Sequence, residues 1–242
     1  MAKMTWDQDG RRFYETGISD VALYTGAAAE GKAFTTGTAW SGITSLSESP
    51  SGADETALYA DNIKYLSLRS VEDFGLSIEA YTYPDEWAEC DGSKSITKGV
   101  IIGQQSRSKF GLAYKTLVGN DTDAAGSGAG TDGYKLHLVW NCTASPSQRS
   151  YSTVNDSPEA ISFSWEVTTT STKVGSYAGS ASITIDSTQL ETAGKSALAT
   201  LEGYLYGTEN TDPYMPTMAA VVDLFTPASS GSDSDSDEDE DE

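Results

Sequence analysis

Residues 160–170, AISFSWEVTTT, alternate strictly between apolar and polar side chains. The apolar positions are Ile161, Phe163, Trp165 and Val167. The polar positions are Ser162, Ser164, Glu166 and Thr168. Because successive side chains of a β-strand point to opposite faces, this pattern predicts a strand with one buried face and one wet face. A chain organised around such segments folds as sheets.

The same alternation recurs along much of the chain and predicts further strands. They cover residues 18–24, 62–69, 74–83, 100–104, 109–118, 134–142 and 180–185. Apolar residues recur at helical spacing only from 186 to 206, with Asp186 or Ser187 as the N-cap of the predicted helix. A short helix is also predicted at residues 84–90, and a shorter apolar run covers residues 218–225. We therefore predict a mainly β protein, a β-sandwich or barrel with a flanking α-helix.

Length and charge divide the chain into a body and a tail. The 242 residues are enough to bury a sizeable core, and residues 1–225 are predicted to form one β domain. The last ten residues, 233–242, contain eight acids, and their mutual repulsion predicts a disordered acidic tail over residues 226–242. The tail suits roles in solubility, spacing or weak cation binding better than specific docking.

The protein is acidic even without this tail. The 36 acidic and 15 basic residues give a net charge of −21, of which residues 1–232 carry −13. Such a body repels phosphate, which argues against tight binding to a nucleic-acid backbone. Weak passage past nucleic acid is compatible with this charge, because repulsion prevents sticking.

Cysteine usage and hydropathy indicate the cellular compartment of the protein. Cys90 and Cys142 are the two cysteines, too few for a disulfide scaffold and without a zinc-type spacing. The chain shows neither a basic-then-apolar leader nor an apolar run of roughly 20 residues, the length that a membrane span needs. We expect a protein made in the cytoplasm, with no membrane association and no cofactor.

The sequence offers no convincing catalytic or metal site. The single histidine, His137, sits mid-strand and is interpreted as an ordinary strand residue. Neighbouring carboxylates such as Asp85 and Glu86 are expected by chance in so acidic a chain. The glycine-rich stretch 119–133 matches neither a calcium loop nor a phosphate loop and is predicted to be a hairpin tip. Trp140 and Trp165 lie on apolar faces, which places them in the core.

Two segments stand out from the predicted strands and helices. Residues 45–60, SLSESPSGADETALYA, are predicted to form a long polar loop, and loops of this length are usually functional or disordered. Residues 1–17 mix aromatic and charged side chains and suit a short strand or an arm that grips a neighbour.

Several stretches together resemble the major tail proteins, or tail tube proteins, of long-tailed phages of Gram-positive bacteria. They are TWDQDGRRFYETGISDVALY, SESPSGADETALYADNIKYLSL, EDFGLSIEAYTYPDEWAECDG, GVIIGQQSRSKFGLAYKTLVGNDT, GYKLHLVW, YSTVNDSPEAISFSWEVTTT and LATLEGYLYGTE. They follow one another in order and span most of residues 5–210. The chain departs from the family in its GSGAG-rich hairpin tip and its acidic tail, to which no family role is transferred.

The resemblance implies a structural virion protein that assembles into six-membered rings. The rings stack into a hollow tail tube through which DNA is ejected, and each subunit contributes strands to a barrel around the lumen. The implied partners are further copies of the chain and other tail proteins (tape measure, tail tip and terminator). The implied location is the virion, with assembly in the bacterial cytoplasm.

The resemblance also suggests roles for particular residues. An acidic, wet sheet face would suit a lumen past which DNA slides, and the candidates for it are Ser77, Glu79, Ser162, Ser164, Glu166 and Thr168. Loop 45–60 resembles the ring-stacking loop of the family, with candidates Glu48, Ser49, Pro50, Ser51, Gly52, Asp54 and Glu55. The candidates for an inter-subunit arm are Trp6, Arg11, Arg12, Phe13 and Tyr14.

Two other classes of function remain open. A free-standing β-sandwich that binds a sugar or a protein predicts a monomer with an exposed aromatic patch, whereas a tube protein predicts rings that depend on concentration. An enzyme is disfavoured, because the sequence brings together no nucleophile, base and metal set.

Overall fold

Antiparallel strands make up most of the chain, as the alternating pattern predicts. The computed structural model describes residues 4–121, 133–151, 153 and 160–226, and these form sixteen β-strands and three α-helices. The strands are β1 (Tyr14–Thr25), β2 (Lys32–Phe34), β3 (Thr36–Ala39), β4 (Ile43–Glu48), β5 (Ser51–Gly52), β6 (Glu55–Ala60), β7 (Ile63–Arg69), β8 (Glu72–Asp73), β9 (Gly75–Ala80), β10 (Lys94–Thr97), β11 (Val100–Ile102), β12 (Phe110–Gly119), β13 (Gly133–Ala144), β14 (Phe163–Thr168), β15 (Ser182–Asp186) and β16 (Met215–Pro216). The helices are α1 (Trp87–Cys90), α2 (Thr192–Tyr206) and α3 (Met218–Phe225).

Eight strands form one large sheet that folds into the two layers of a sandwich. β3, β1, β12 and β13 follow one another across the first layer, and β15 also pairs with β13. The second layer contains β14, β9 and β4, and it begins where Thr143 and Ala144 of β13 pair with β14. The antiparallel pairing of β12 with β13 confirms the hairpin predicted between residues 109–118 and 134–142.

Strand β13 passes from one layer to the other at Asn141. Asn141 has a φ of 52°, and the pairing with β12 shifts register between Phe110 and Leu112. These are the marks of a β-bulge, which adds one residue and bends the strand. The extra residue reverses the alternation, so the side chains that enter the inter-layer core change from odd positions such as Val139 to even positions such as Cys142.

Tryptophan side chains fill the space between the two layers. Trp87 of α1 and Trp165 of β14 are almost completely buried, and their ring centroids lie 5.2 Å apart at 71°. Trp40 packs on Trp87 at 4.6 Å and donates its indole N–H to the Thr82 carbonyl oxygen at 2.9 Å. Edge-to-face aromatic pairs contribute about 0.5–1.5 kcal/mol each beyond the burial of area. The predicted core position of Trp165 is confirmed.

A second core lies on the other face of the first layer, under α2 and α3. Leu198, Leu201 and Leu205 of α2 are buried against β13, at the helical spacing that the sequence shows. Trp140 is also buried here, and its indole N–H donates to the Pro216 carbonyl oxygen at 2.9 Å. The flanking helix and the core position of Trp140 are therefore confirmed. β12 and β13 are buried on both faces, which makes them the centre of the fold.

Helix α2 begins later than predicted. Its N-cap is Glu191, not Asp186 or Ser187. Asp186 instead ends β15, and its Oδ1 accepts a hydrogen bond from the Thr188 backbone N–H at 2.9 Å. The acidic side chain closes a turn before the helix, a second common use of aspartate that sequence reasoning does not separate from capping. The prediction for the acidic tail falls on residues 227–242, outside the described residues.

Candidate functional site

Strands β6 and β7 form a hairpin that stands clear of both cores. Every residue of β7 is exposed, and so are five of the six residues of β6. Large apolar side chains point from both faces of the hairpin; Tyr59, Tyr65 and Leu68 are 73%, 68% and 55% exposed. A two-stranded hairpin is marginally stable in water by itself. Within the described residues, these side chains lack the cover that a packed core gives.

Local interactions nonetheless set the register of the β6–β7 hairpin. Its turn is Asp61–Asn62, with φ values of 50° and 62°, as a type I′ turn requires. At the other end, the Glu55 carboxylate accepts a hydrogen bond from the Ser67 hydroxyl at 2.6 Å and forms an ion pair with Lys64. The hydrogen bonds from Lys64 and then Ser67 lower the pKa of Glu55. The strands are thus aligned without help from the cores.

The prediction of a long loop over residues 45–60 is wrong. Strand β4 occupies its first part, β5 pairs with β8, and β6 is the first strand of the hairpin. Of the ring-stacking candidates, Glu48 ends β4, Ser51 and Gly52 form β5, and Glu55 begins β6. Ser49, Pro50 and Asp54 link these strands.

The middle part of the predicted loop, residues 49–54, therefore forms the stem of the β6–β7 hairpin. Asp54 belongs to this stem, since its backbone N–H donates to the Ser70 hydroxyl at 3.0 Å. The apolar hairpin residues lie further along the chain than the candidates. The Asp61–Asn62 pair between two stretches of alternating residues is the signal that would have located the hairpin.

A second exposed hairpin, formed by β10 and β11, was missed in part. The sequence predicted a strand at 100–104 but none at 94–97. All residues of both strands are exposed, including Ile96, Val100, Ile101 and Ile102. The hairpin is attached to the body through residues 103–108, where the Gln105 backbone N–H donates to the Gly92 carbonyl oxygen at 2.9 Å. It is a second apolar surface without cover from the rest of the described residues.

The lumen candidates lie on one exposed, polar face of the second layer. The pairing of β14 with β9 sets Ser164 beside Glu79 and Glu166 beside Ser77. Thr168 continues this face, and Ser162 lies one residue before β14. The face extends onto β4, where the Ser45 hydroxyl donates to Glu79 at 3.1 Å. The structure thus brings the candidates together, and their side chains point away from the inter-layer core.

The arm candidates form an exposed segment tied to the end of β12. The Gly10 backbone N–H donates to Asp121 at 2.8 Å, and the Arg12 guanidinium pairs with the same carboxylate at 3.3 Å. Trp6 and Phe13 are 75% and 61% exposed. Arg11 is exposed. Strand β1 begins at Tyr14, so residues 14–17 of the segment that was predicted as a short strand or an arm belong to a long strand.

His137 forms a polar cluster where β4 meets the first layer. Its ring stacks on Tyr114 with centroids 4.7 Å apart, and its nitrogens lie 3.0 Å from Thr116 Oγ1 and 3.2 Å from Thr184 Oγ1. The Tyr114 hydroxyl donates to Glu48. Burial lowers the pKa of His137, and burial followed by the hydrogen bond to Glu48 raises the pKa of Tyr114. The arrangement fastens β4 to β12, β13 and β15.

The two cysteines lie in an environment that disfavours a reactive thiol. Cys90 and Cys142 are free and buried in the inter-layer core, and burial raises the pKa of the Cys90 thiol to about 12. Such a thiol is a poor nucleophile at neutral pH, because only the thiolate attacks. Within the described ranges, no three His, Cys, Asp or Glu side chains are placed to hold a metal ion.

No protein-family model matches the sequence, and no curated protein matches it. Among the helices of the described residues, none has the length and apolar character needed to cross a membrane.

Proposed function

We propose that this chain is a structural virion protein, whose copies form stacked hexameric rings that make up a phage tail tube. The tube would be the conduit for DNA ejection into the host. The observation that carries the proposal is the β6–β7 hairpin, with Tyr59, Tyr65 and Leu68 exposed on both faces. Apolar patches of this kind mark interaction sites, and a self-assembling chain covers them with its own copies.

Open sheet edges support the same proposal. β3 and β4 are the edge strands at the two ends of the strand order of the large sheet. Within the described residues, each of them pairs with one strand of this sheet. Exposed edges invite pairing with another chain, and closure into a barrel removes them. A ring in which neighbouring subunits continue one another's sheets would use both edges.

The polar face of β9 and β14 has the chemistry that a DNA conduit needs. Glu79 and Glu166 are exposed on it, and serine and threonine side chains surround them. A wall of this charge repels phosphate, so that DNA passes without binding. Under this proposal Ser77, Glu79, Ser162, Ser164, Glu166 and Thr168 face the lumen.

The proposal assigns partners and a location by resemblance. The chain would contact its own copies within and between rings, and tape measure, tail tip and terminator proteins at defined points of the tail. Assembly would take place in the host cytoplasm, and the mature location would be the virion. The exposed arm with Trp6 and Phe13 is available for contacts between neighbouring subunits.

A second candidate function is favoured by the aromatic residues of the β6–β7 hairpin. Tyr59 and Tyr65 are strongly exposed aromatic side chains, the kind that a free-standing sugar- or protein-binding β-sandwich would present to its ligand. This alternative requires a monomer at every protein concentration, since these side chains are then reserved for a ligand.

A single substitution in the hairpin distinguishes the two functions. Tyr65→Lys places a charge in the apolar surface, while Tyr177→Lys changes a side chain of nearly equal exposure, 66% against 68%, outside the hairpin. Both variants should unfold at the wild-type temperature, because neither side chain is buried. We expect only Tyr65→Lys to abolish concentration-dependent assembly in sedimentation velocity. Equal assembly of both variants, or none in the wild type, would argue against the proposal.

A further inference from the structure

One part of this acidic chain has the opposite charge. The run from Gly92 to Asn120 contains no aspartate or glutamate, and its basic residues are Lys94, Lys98, Arg107, Lys109 and Lys115. The exposed β10–β11 hairpin lies at the start of this run, with Lys94 in its first strand and Lys98 in its turn. Every residue from Lys94 to Ser106 is exposed. The hairpin is therefore a basic surface on an acidic body.

The cations of this hairpin have no acidic partners within the described part of the chain. Lys115 and Lys135 form ion pairs with Glu202 and Glu15, whereas no such pair involves Lys94 or Lys98. Lys109, just beyond the hairpin, is also exposed and has no ion pair to a described residue. Unpaired cations in a protein of net charge −21 attract whichever acidic segment can reach them.

We propose that the β10–β11 hairpin is the docking surface for the acidic segment of the same chain, residues 233–242. Eight of these ten residues are acids. The rest of the body carries a net negative charge and repels the segment, which makes the basic hairpin the most favourable place for it. The charge complementarity involves Lys94, Lys98 and Lys109 together, because single exposed ion pairs contribute little.

The acidic segment is long enough to reach the hairpin. Sixteen residues follow Thr226, the last described residue, and an extended chain of that length spans up to about 55 Å. A compact domain of this size has a diameter of roughly 45 Å, from its expected radius of gyration. Followed around the surface, this length lets the end of the acidic segment reach most of the body of its own molecule.

Docking would also limit the access of another copy of the chain to the apolar residues of the hairpin. This consequence rests on the proposed function. Ile96, Val100, Ile101 and Ile102 are available for contact with another copy. A docked acidic segment brings negative charge to this surface, and a second acidic copy is then repelled. The segment would slow assembly of the subunits until the contact between copies displaces it.

Zero-length carbodiimide cross-linking tests the docking in the dilute monomer, independently of tube formation. The reagent joins lysine amines to carboxylates in contact, and chymotrypsin releases the acidic segment after Phe225 for mass spectrometry. We expect cross-links from the segment to Lys94 and Lys98 several-fold above those to Lys173 and Lys195, which are exposed and lie outside the basic run. Because the contact is ionic, the preference should disappear at about 1 M NaCl.

Matched variants complete the test. Lys94→Gln with Lys98→Gln should remove most of the cross-linked product, whereas Lys173→Gln with Lys195→Gln should leave it unchanged. Equal cross-linking to all four lysines would overturn the proposal. So would cross-links that a mixture of isotope-labelled and unlabelled protein shows to be only intermolecular. Neither result depends on whether the protein forms tubes.

Discussion

At the scale of single residues, His137 gives the clearest prediction. Burial among Thr116, Thr184 and the ring of Tyr114 lowers its pKa below the ordinary value of 6.5, against the opposing charges of Glu48 and Glu15. The unfolded chain then binds a proton more readily than the folded chain does. The contribution of neutral His137 to stability is complete above about pH 6.5, and it is lost as the pH falls below that value.

We expect His137→Gln to flatten the pH dependence of stability. Glutamine keeps a polar side chain near the two threonine hydroxyls but does not titrate. The free energy of unfolding, measured by urea denaturation between about pH 7 and pH 5, should fall less steeply in the variant than in the wild type. Carboxylates that titrate in both proteins cancel in the difference. If the free energy of unfolding falls equally steeply with pH in both proteins, burial does not lower the pKa of His137.

At the scale of elements, the packing of β12 under β16 and β2 leaves no room for a side chain at Gly111. A Cβ atom there would overlap Met215 Sδ and lie 3.0 Å from the ring of Phe34. We expect Gly111→Ala to push these elements apart and to cost about 1–3 kcal/mol of stability, as overpacking does. Gly103→Ala is the control, because nothing lies within 4 Å of its Cβ position.

Thermal unfolding measures the difference between the two alanine variants. Gly103→Ala should unfold close to the wild-type temperature, and Gly111→Ala clearly below it. If the two variants unfold together, β16 and β2 can move away from β12 at little cost, and the packing of the second core is looser than described.

Periodicity explains which elements the sequence predicts well. The alternation around Trp165 identifies β14, and the buried pattern of residues 134–142 identifies β13, because each strand packs on a core. The β6–β7 and β10–β11 hairpins pack on neither core, so no burial pattern marks both of their strands. The bulge at Asn141 is also not marked by any sequence pattern, since the fold determines where the alternation of buried and exposed side chains reverses.

The residues of the candidate site were likewise predictable only where they alternate with core residues. Ser77, Glu79, Ser164, Glu166 and Thr168 were found because they alternate with core residues. Tyr65 was missed as a surface residue because apolar residues in a strand look buried until the topology shows that nothing covers them, and Tyr59 was missed because it fell in the predicted loop 45–60. Surfaces completed by another chain cannot be distinguished from cores by composition alone.

At the scale of the whole molecule, charge on the polar face decides how an assembled tube would treat DNA. Reversal of charge in Glu79→Lys with Glu166→Lys should leave assembly intact and create binding of double-stranded DNA, measured by retention of labelled DNA with pelleted tubes. The control is Glu30→Lys with Glu209→Lys, which makes the same change in net charge at exposed positions elsewhere. Because cations on the lumen wall release counterions from DNA, the binding should weaken steeply with salt.

The two double variants separate a lumen effect from a change in overall charge. DNA binding by both would show that net charge governs the interaction. No binding by either would place the β9–β14 face away from the lumen, and the assignment of Ser77, Ser162, Ser164 and Thr168 to the lumen would be withdrawn with it.

Negative-stain electron microscopy of the purified protein over a concentration series would show whether the chain assembles into a tube. We predict that rings with six subunits, and then hollow striated tubes, appear as the concentration rises. A variant truncated after Thr226 should form them at lower concentration, since it lacks the acidic segment. Monomeric particles at every concentration, in both the full chain and the truncated variant, would contradict the account and favour a free-standing binding module.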